Sequence, residues 1–156
     1  MMLHMLSATL ALHSWFRWAV IVLGLLAIVR AIASSRSRRW TPADDHAAML
    51  FTMVFDLQFL IGLFLYFVAS PITKAALQHM DAAMRTATLR FWAVEHPTAM
   101  LGALAFAHVG RARIRRAPEA KKGRIALIFF AITLLVILGM TPWPHTLGDR
   151  PLFRLP

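Results

Sequence analysis

The chain of 156 residues contains no cysteine. Disulfides, thiolate metal sites, iron–sulfur clusters and covalently attached c-type haem are thereby excluded. Acid is scarce too: seven Asp and Glu stand against seventeen Lys and Arg, a formal charge of +10. No Ser/His/Asp constellation and no glycine-rich phosphate loop is present, so nucleophilic catalysis has no support. Internal repeats and low-complexity segments are missing as well. What fills the chain is apolar: 59% of residues are hydrophobic, with a mean hydropathy of +0.62. That exceeds an ordinary soluble domain, and the few charges gather between the apolar runs, the pattern of a polytopic membrane protein. At ~20 residues per span there is room for four helices and little else. The positive charge does not indicate nucleic acid, because it lies in short loops between spans. Lipid headgroups are the anionic contact it suits.

The expected fold is an all-α, four-helix transmembrane bundle forming one domain over 1–156, with spans at about 11–33, 47–69, 91–110 and 125–141. The N-terminal apolar stretch has no basic region before it and runs on into the first span, unlike a secretory signal. Basic clusters follow the first span (Arg30, Arg36, Arg38, Arg39) and the third (Arg111, Arg113, Arg115, Arg116, Lys121, Lys122, Arg124). Both belong on the cytoplasmic side of a bacterial inner membrane. Both termini then face the periplasm, with Trp15, Trp18, Trp92 and Trp143 as an outer aromatic belt. Thr41-Pro42-Ala43-Asp44-Asp45 reads as a helix start, with Thr41 as N-cap, Pro42 at N1 and acids in the first turn. Between Ile72 and Arg90, Leu77, Met80 and Met84 recur at helical spacing, as in a short amphipathic helix on the outer surface.

Two histidines stand at the mouths of apolar runs. His13 precedes Arg30 by 17 residues, and His96 precedes Arg111 by 15. At ~1.5 Å per residue both imidazoles lie at nearly the same height, near the outer edge of the hydrocarbon. Below His13 the helical stripe is Arg17, Val20, Gly24, Ala27 and Ala31; below His96 it is Ala99, Ala103, Ala107 and Gly110. Such stripes serve close helix packing, or they leave room for a flat cofactor such as haem b, held by axial histidines from two helices. Arg17, one turn below His13, needs a partner inside the membrane: Glu95, Asp56, a haem propionate or a lipid phosphate. Asp56 is mid-span and is a candidate ion-pair partner or proton carrier. Glu95 is a candidate for orienting a neighbour or binding a quinone headgroup. Gln58, beside Gly62 on roughly the opposite face from Asp56, reads as interhelical hydrogen-bonding glue. His46 and His108 form a possible second, inner pair. Met1, Met2, His4, Met5, His79, Met80 and Met84 are outward thioethers and imidazoles of the kind that suit Cu(I).

His13-Ser14-Trp15-Phe16-Arg17-Trp18, the run from Asp56 to Phe67, Glu95-His96 and Pro142-Trp143-Pro144 together resemble a group of small bacterial four-span membrane proteins labelled cytochrome b or cytochrome b-like. The resemblance implies haem ligation and electron transfer. Better understood four-helix b-type cytochromes hold two haems on four intramembrane histidines, whereas here the fourth span has none and the second has only Asp56 within its body. One haem is therefore the expectation, with His13 and His96 as ligands, Arg17 at a propionate, Gly24, Ala99 and Ala103 against the ring, and Asp56 and Glu95 handling protons or a quinol. The chain would be a quinol-linked oxidoreductase or a subunit of one. A second reading is a cofactor-free accessory subunit of a larger respiratory or photosynthetic membrane complex, its small stripes serving contacts with other subunits or a second copy. A third is outer-face copper handling.

Overall fold

The computed structural model describes residues 2–154 and is all-α, with no strand among them. Four long helices form the body: α1 (Met2–Ser37), α2 (Pro42–Phe64), α6 (His96–Arg116) and α7 (Glu119–Met140). Three short helices, α3 (Pro71–Gln78), α4 (Met80–Arg85) and α5 (Ala87–Arg90), connect α2 to α6. This connection replaces the single amphipathic helix expected there. It breaks at His79 and Thr86, which leave the helical region of backbone space. It buries Thr73, Ala76 and Ala83, while Leu77, Met80 and Met84 stand exposed.

Three helices are long and apolar enough to cross a membrane: those over His4–Ser37, Pro42–Ala69 and Glu119–Met140. The helix at His96–Arg116 occupies the fourth place in the bundle, but the arginines of its last turns dilute its apolar character. The outward surface of the bundle is apolar. Val22, Val29, Leu60, Phe67 and Leu135 are each at least 60% exposed, whereas Arg17, Thr52 and Thr133 are buried. An apolar exterior around a partly polar interior is the arrangement a lipid solvent favours.

Helix α2 starts as its sequence dictates. The Thr41 side chain accepts from the Asp44 amide, and an Asp44 oxygen accepts from the Thr41 amide at 2.7 Å, a reciprocal cap with Pro42 in the first turn. Arg30 of α1 pairs with the buried Asp44 at 2.8 Å, and Arg111 of α6 pairs with Asp45 at 2.8 Å. These contacts gather the basic end of the bundle. Arg38, with φ 58°, makes the left-handed turn that closes α1.

Helix α1 packs on α2 and α7, and α6 packs on the same two, so α1 and α6 occupy opposite corners. The core joins Val20, Ala27 and Ala31 of α1, Phe51 and Phe55 of α2, Ala103 and Ile114 of α6, and Ala126, Phe130 and Ile137 of α7. Glycines bring backbones together near the basic end. A Cβ on Gly123 would overlap the Ser34–Ser35 backbone of α1, and one on Gly110 would lie 2.6 Å from Phe129 Cβ. At the other end, α2 finishes in a π-helical turn, Leu65–Ala69, and α6 is preceded by another, Phe91–Glu95. The two turns are tied: Tyr66 Oη donates to the Ala93 carbonyl at 2.7 Å, and Thr73 Oγ1 donates to the Tyr66 carbonyl at 2.7 Å.

Residues after α7 fold back over this end as a strap. Trp143 Nε1 donates to the Leu138 carbonyl, and Asp149 accepts from the His145 amide at 2.9 Å. His145 and Asp149 both take positive φ, at 64° and 36°, so the strap turns sharply between them. Gly148 makes this possible, since a Cβ there would overlap Pro142 and lie 3.0 Å from Phe91 Cε1.

Candidate functional site

A cavity of about 140 Å³ opens inside the strap end, lined mainly by apolar atoms of α1, α2, α6, α7 and the strap. His13 and His96 both line it, reaching it from opposite corners of the bundle. Their approach is fixed in different ways. His96 Nδ1 lies 2.8 Å from the Met140 carbonyl, an acceptor, so this nitrogen carries a proton, and in the neutral ring Nε2 is the one with the free lone pair. That is how a ligating imidazole is oriented by a bond on its other nitrogen. His13 rests against Gly62, where a Cβ would stand 3.2 Å from its Cε1. No hydrogen bond to its ring is found among the described residues, and its Nδ1 is buried without a partner.

Arg17 is buried and lines the cavity one turn from His13. Neither acid expected to pair with it does so. One of its terminal nitrogens donates to Ser14 Oγ at 3.2 Å and to the strap carbonyls of Leu152 at 2.6 Å and Pro151 at 3.3 Å. The guanidinium lies 5.6 Å from the Trp18 ring and 5.8 Å from that of Trp143, within cation–π range. Asp56 points away from the cavity and takes His108 Nε2 at 2.7 Å, both side chains being part-exposed between α2 and α6. The reason is angular: on α2 the cavity face carries Phe55, Gln58, Phe59, Gly62 and Tyr66, and Asp56 falls between its turns. Glu95 pairs with Arg90 at 2.7 Å, a neighbour within its own segment. His46 turns to the Pro42 carbonyl at 2.7 Å, so no inner histidine pair forms.

The small residues expected beside a ring do not line the cavity. A Cβ on Gly24 would meet Phe51 at 3.0 Å and Leu134 at 3.2 Å, and Ala103 lies in the core cluster. Ala99 also falls outside the lining. Gly24 and Ala103 face the filled part of the bundle instead. Gln58 acts across helices as expected, its amide donating to the His13 carbonyl at 3.0 Å, and it lines the cavity as well.

The sequence reading missed Tyr66, Trp92, Arg150 and Arg154, all of which line the cavity. A signal for one side existed: Phe55, Gln58, Phe59, Gly62 and Tyr66 recur at helical spacing, a partly polar stripe in an apolar helix. Nothing periodic marks the strap. Arg150 Cζ sits 4.8 Å from the Trp92 ring centroid, and its Nε is buried without a hydrogen-bond partner. The four tryptophans expected as an interfacial belt do share one end, but they are engaged there. Trp15 Nε1 donates to the Arg154 carbonyl, Trp18 Nε1 to that of Leu152, and both rings contact Phe153.

Four buried side-chain atoms lack a hydrogen-bond partner among the described residues: His13 Nδ1, Arg17 Nε, Gln58 Oε1 and Arg150 Nε. All four belong to residues that line this one cavity. A buried polar group without a partner costs ~1–3 kcal/mol, so such atoms are seldom left clustered. The lining holds three arginines and no carboxylate side chain.

Among the described residues no group of three or more His, Asp or Glu side chains is placed to hold a metal ion. Of the residues considered for copper, His4, Met5, His79, Met80 and Met84 are exposed, while Met1 and the Met2 side chain lie outside what the structure describes. Comparison with protein-family models, with curated proteins and with solved structures finds no match to this chain.

Proposed function

We propose that the chain is a b-type haem protein of the bacterial inner membrane that passes single electrons, with a membrane quinol as one exchange partner. In this reading α6, with the π-turn before it, is the fourth span. The basic loops at Arg36–Arg39 and Arg111–Arg124 are cytoplasmic, and the cavity with both chain ends faces the periplasm. The observation that carries the reading is the convergence of His13, His96 and the four unpartnered polar atoms on one cavity. Two imidazoles are too few to hold a bare metal ion, but they suit a haem, which asks the protein for only a small number of nitrogen donors.

His13 and His96 would hold the haem through their imidazole nitrogens, and Arg17 would meet its acidic groups. The cavity is smaller than the ~300 Å³ at which ligand pockets usually begin, so loading has to widen it. Leu10 and Met100, both unbranched at Cβ, are side chains in its wall that can change rotamer without moving the backbone. Bound haem supplies reversible one-electron chemistry at iron, and the protein's part is ligation, burial and charge. A quinol arriving through the bilayer would meet the Asp56–His108 pair, a polar couple set in the apolar surface between α2 and α6.

A cofactor-free accessory subunit would account for the packed stripes of Gly24 and Ala103, but it leaves the cavity's unpartnered atoms without a purpose. The test is a reduced-minus-oxidised visible spectrum of the purified protein in detergent, with haem quantitation. A sharp b-type α-band at about one haem per chain is expected. The double variant His13→Ala/His96→Ala should lose the band and keep its far-ultraviolet helix signal. A folded preparation made with ample haem supply that holds none overturns the reading.

A further inference from the structure

The strap does more than cover the cavity. Leu152 and Pro151 offer their carbonyls to Arg17, and Arg150 reaches the cavity from the strap itself. Arg17 and Arg150 thus present two guanidinium groups from opposite ends of the chain, each with a buried Nε–H that nothing accepts. Arg154 lines the same cavity. Among the described residues none of the three has a carboxylate within ion-pair distance. The nearest acid in sequence, Asp149, accepts the His145 amide instead. Burial, with the neighbouring Arg154 charge, lowers the Arg150 pKa below the usual arginine range, while Asp149 partly offsets this. Gathering like charges in a part-buried site is unfavourable unless an anion joins them. An arginine Nε–H beside a terminal N–H is also the fork that takes a carboxylate in bidentate fashion.

We propose that Arg17 and Arg150 form a two-pronged receptor for a ligand bearing two carboxylates on an apolar body, with the strap supplying the second prong. This rests on the haem reading above, in which the two acids are the propionates. The strap is then part of the binding site: Gly148 and the Asp149–His145 bond set the turn that delivers Arg150.

The test titrates the full-length protein, freed of haem in detergent, with haem b and with its dimethyl ester, in which both carboxylates are masked. Binding is read from the visible spectrum and by quenching of tryptophan fluorescence. Wild-type protein is expected to bind the ester at least about tenfold more weakly than haem b. Arg150→Gln should weaken haem b by about tenfold and leave the ester nearly unchanged, so the two ligands converge. Equal wild-type affinity for haem b and its ester overturns the receptor while leaving the haem reading standing. Binding of neither ligand overturns both. The wild-type comparison needs no variant, so the receptor stays open to refutation even if Arg150→Gln fails to fold, and haem b monomethyl ester, expected to bind between the other two, separates one prong from two.

Discussion

The two ends of the bundle use the same kinds of residue for opposite purposes. Toward the basic end, glycine and alanine remove volume so that helices touch: Gly123 against the Ser34–Ser35 backbone, Gly110 against Phe129, Gly24 against Phe51. The two arginines that reach between helices there have acids, Arg30 on Asp44 and Arg111 on Asp45. At the strap end, Gly62 removes volume for an imidazole, and the buried arginines meet carbonyls, aromatic faces or nothing. A small residue in a helix therefore does not tell what fills the space it leaves. The partner across the gap decides, and in this bundle the filled and open halves are separated along the helix axes.

The sharpest break in this contrast is Gly123→Ala. Its neighbours are backbone atoms that have no rotamer to escape into, so α1 and α7 must separate, at a cost of about 1–3 kcal/mol. A large fall in thermal midpoint in detergent is the expected result, and an unchanged midpoint would show that the approach is looser than described. A paired comparison sharpens it further. Gly24→Ala meets side-chain atoms of Phe51 and Leu134 and should cost up to about 1 kcal/mol, and on the haem reading proposed above it should leave haem content and spectrum unchanged. On the same reading Gly62→Ala should do the reverse, moving the His13 ring and altering haem affinity or the α-band with little loss of stability. If both variants behave alike, the division between packed and open halves fails. The smallest effect is expected from Asp45→Asn. Its carboxylate is half-exposed although Arg111 is buried, so the loss should stay below about 1 kcal/mol by urea or thermal titration.

Much of the packed half was legible in the sequence. Apolar runs between basic loops mark the long helices, and Thr41-Pro42-Ala43-Asp44 carries its own cap. The open half was legible only where chemistry is rare enough to stand out, as with His13, His96 and Arg17. A stripe reports a gap and not its occupant, and Gly24 and Ala103 face packed side chains of the bundle core. Depth and charge make Asp56 a candidate partner for Arg17 or a proton carrier, but they do not give its direction, and its angle on α2 turns it toward His108. Arg150 was out of reach: the bonds that seat its strap on α1 link residues more than 130 positions apart, and no local pattern encodes them.

The packing of α1 on α7 bears on how the chain is assembled. Helix α7 begins 82 positions after α1 ends, counting from Ser37 to Glu119. At ~5–20 residues per second of synthesis, α1 waits roughly 4–16 s before its backbone-to-backbone partner exists. Throughout that interval its Ser34–Ser35 groove is open to any other small-residue helix nearby. A bundle closed by its first and last long helices is therefore sealed late, and its vulnerable period is set by the ribosome's pace as much as by its own energetics.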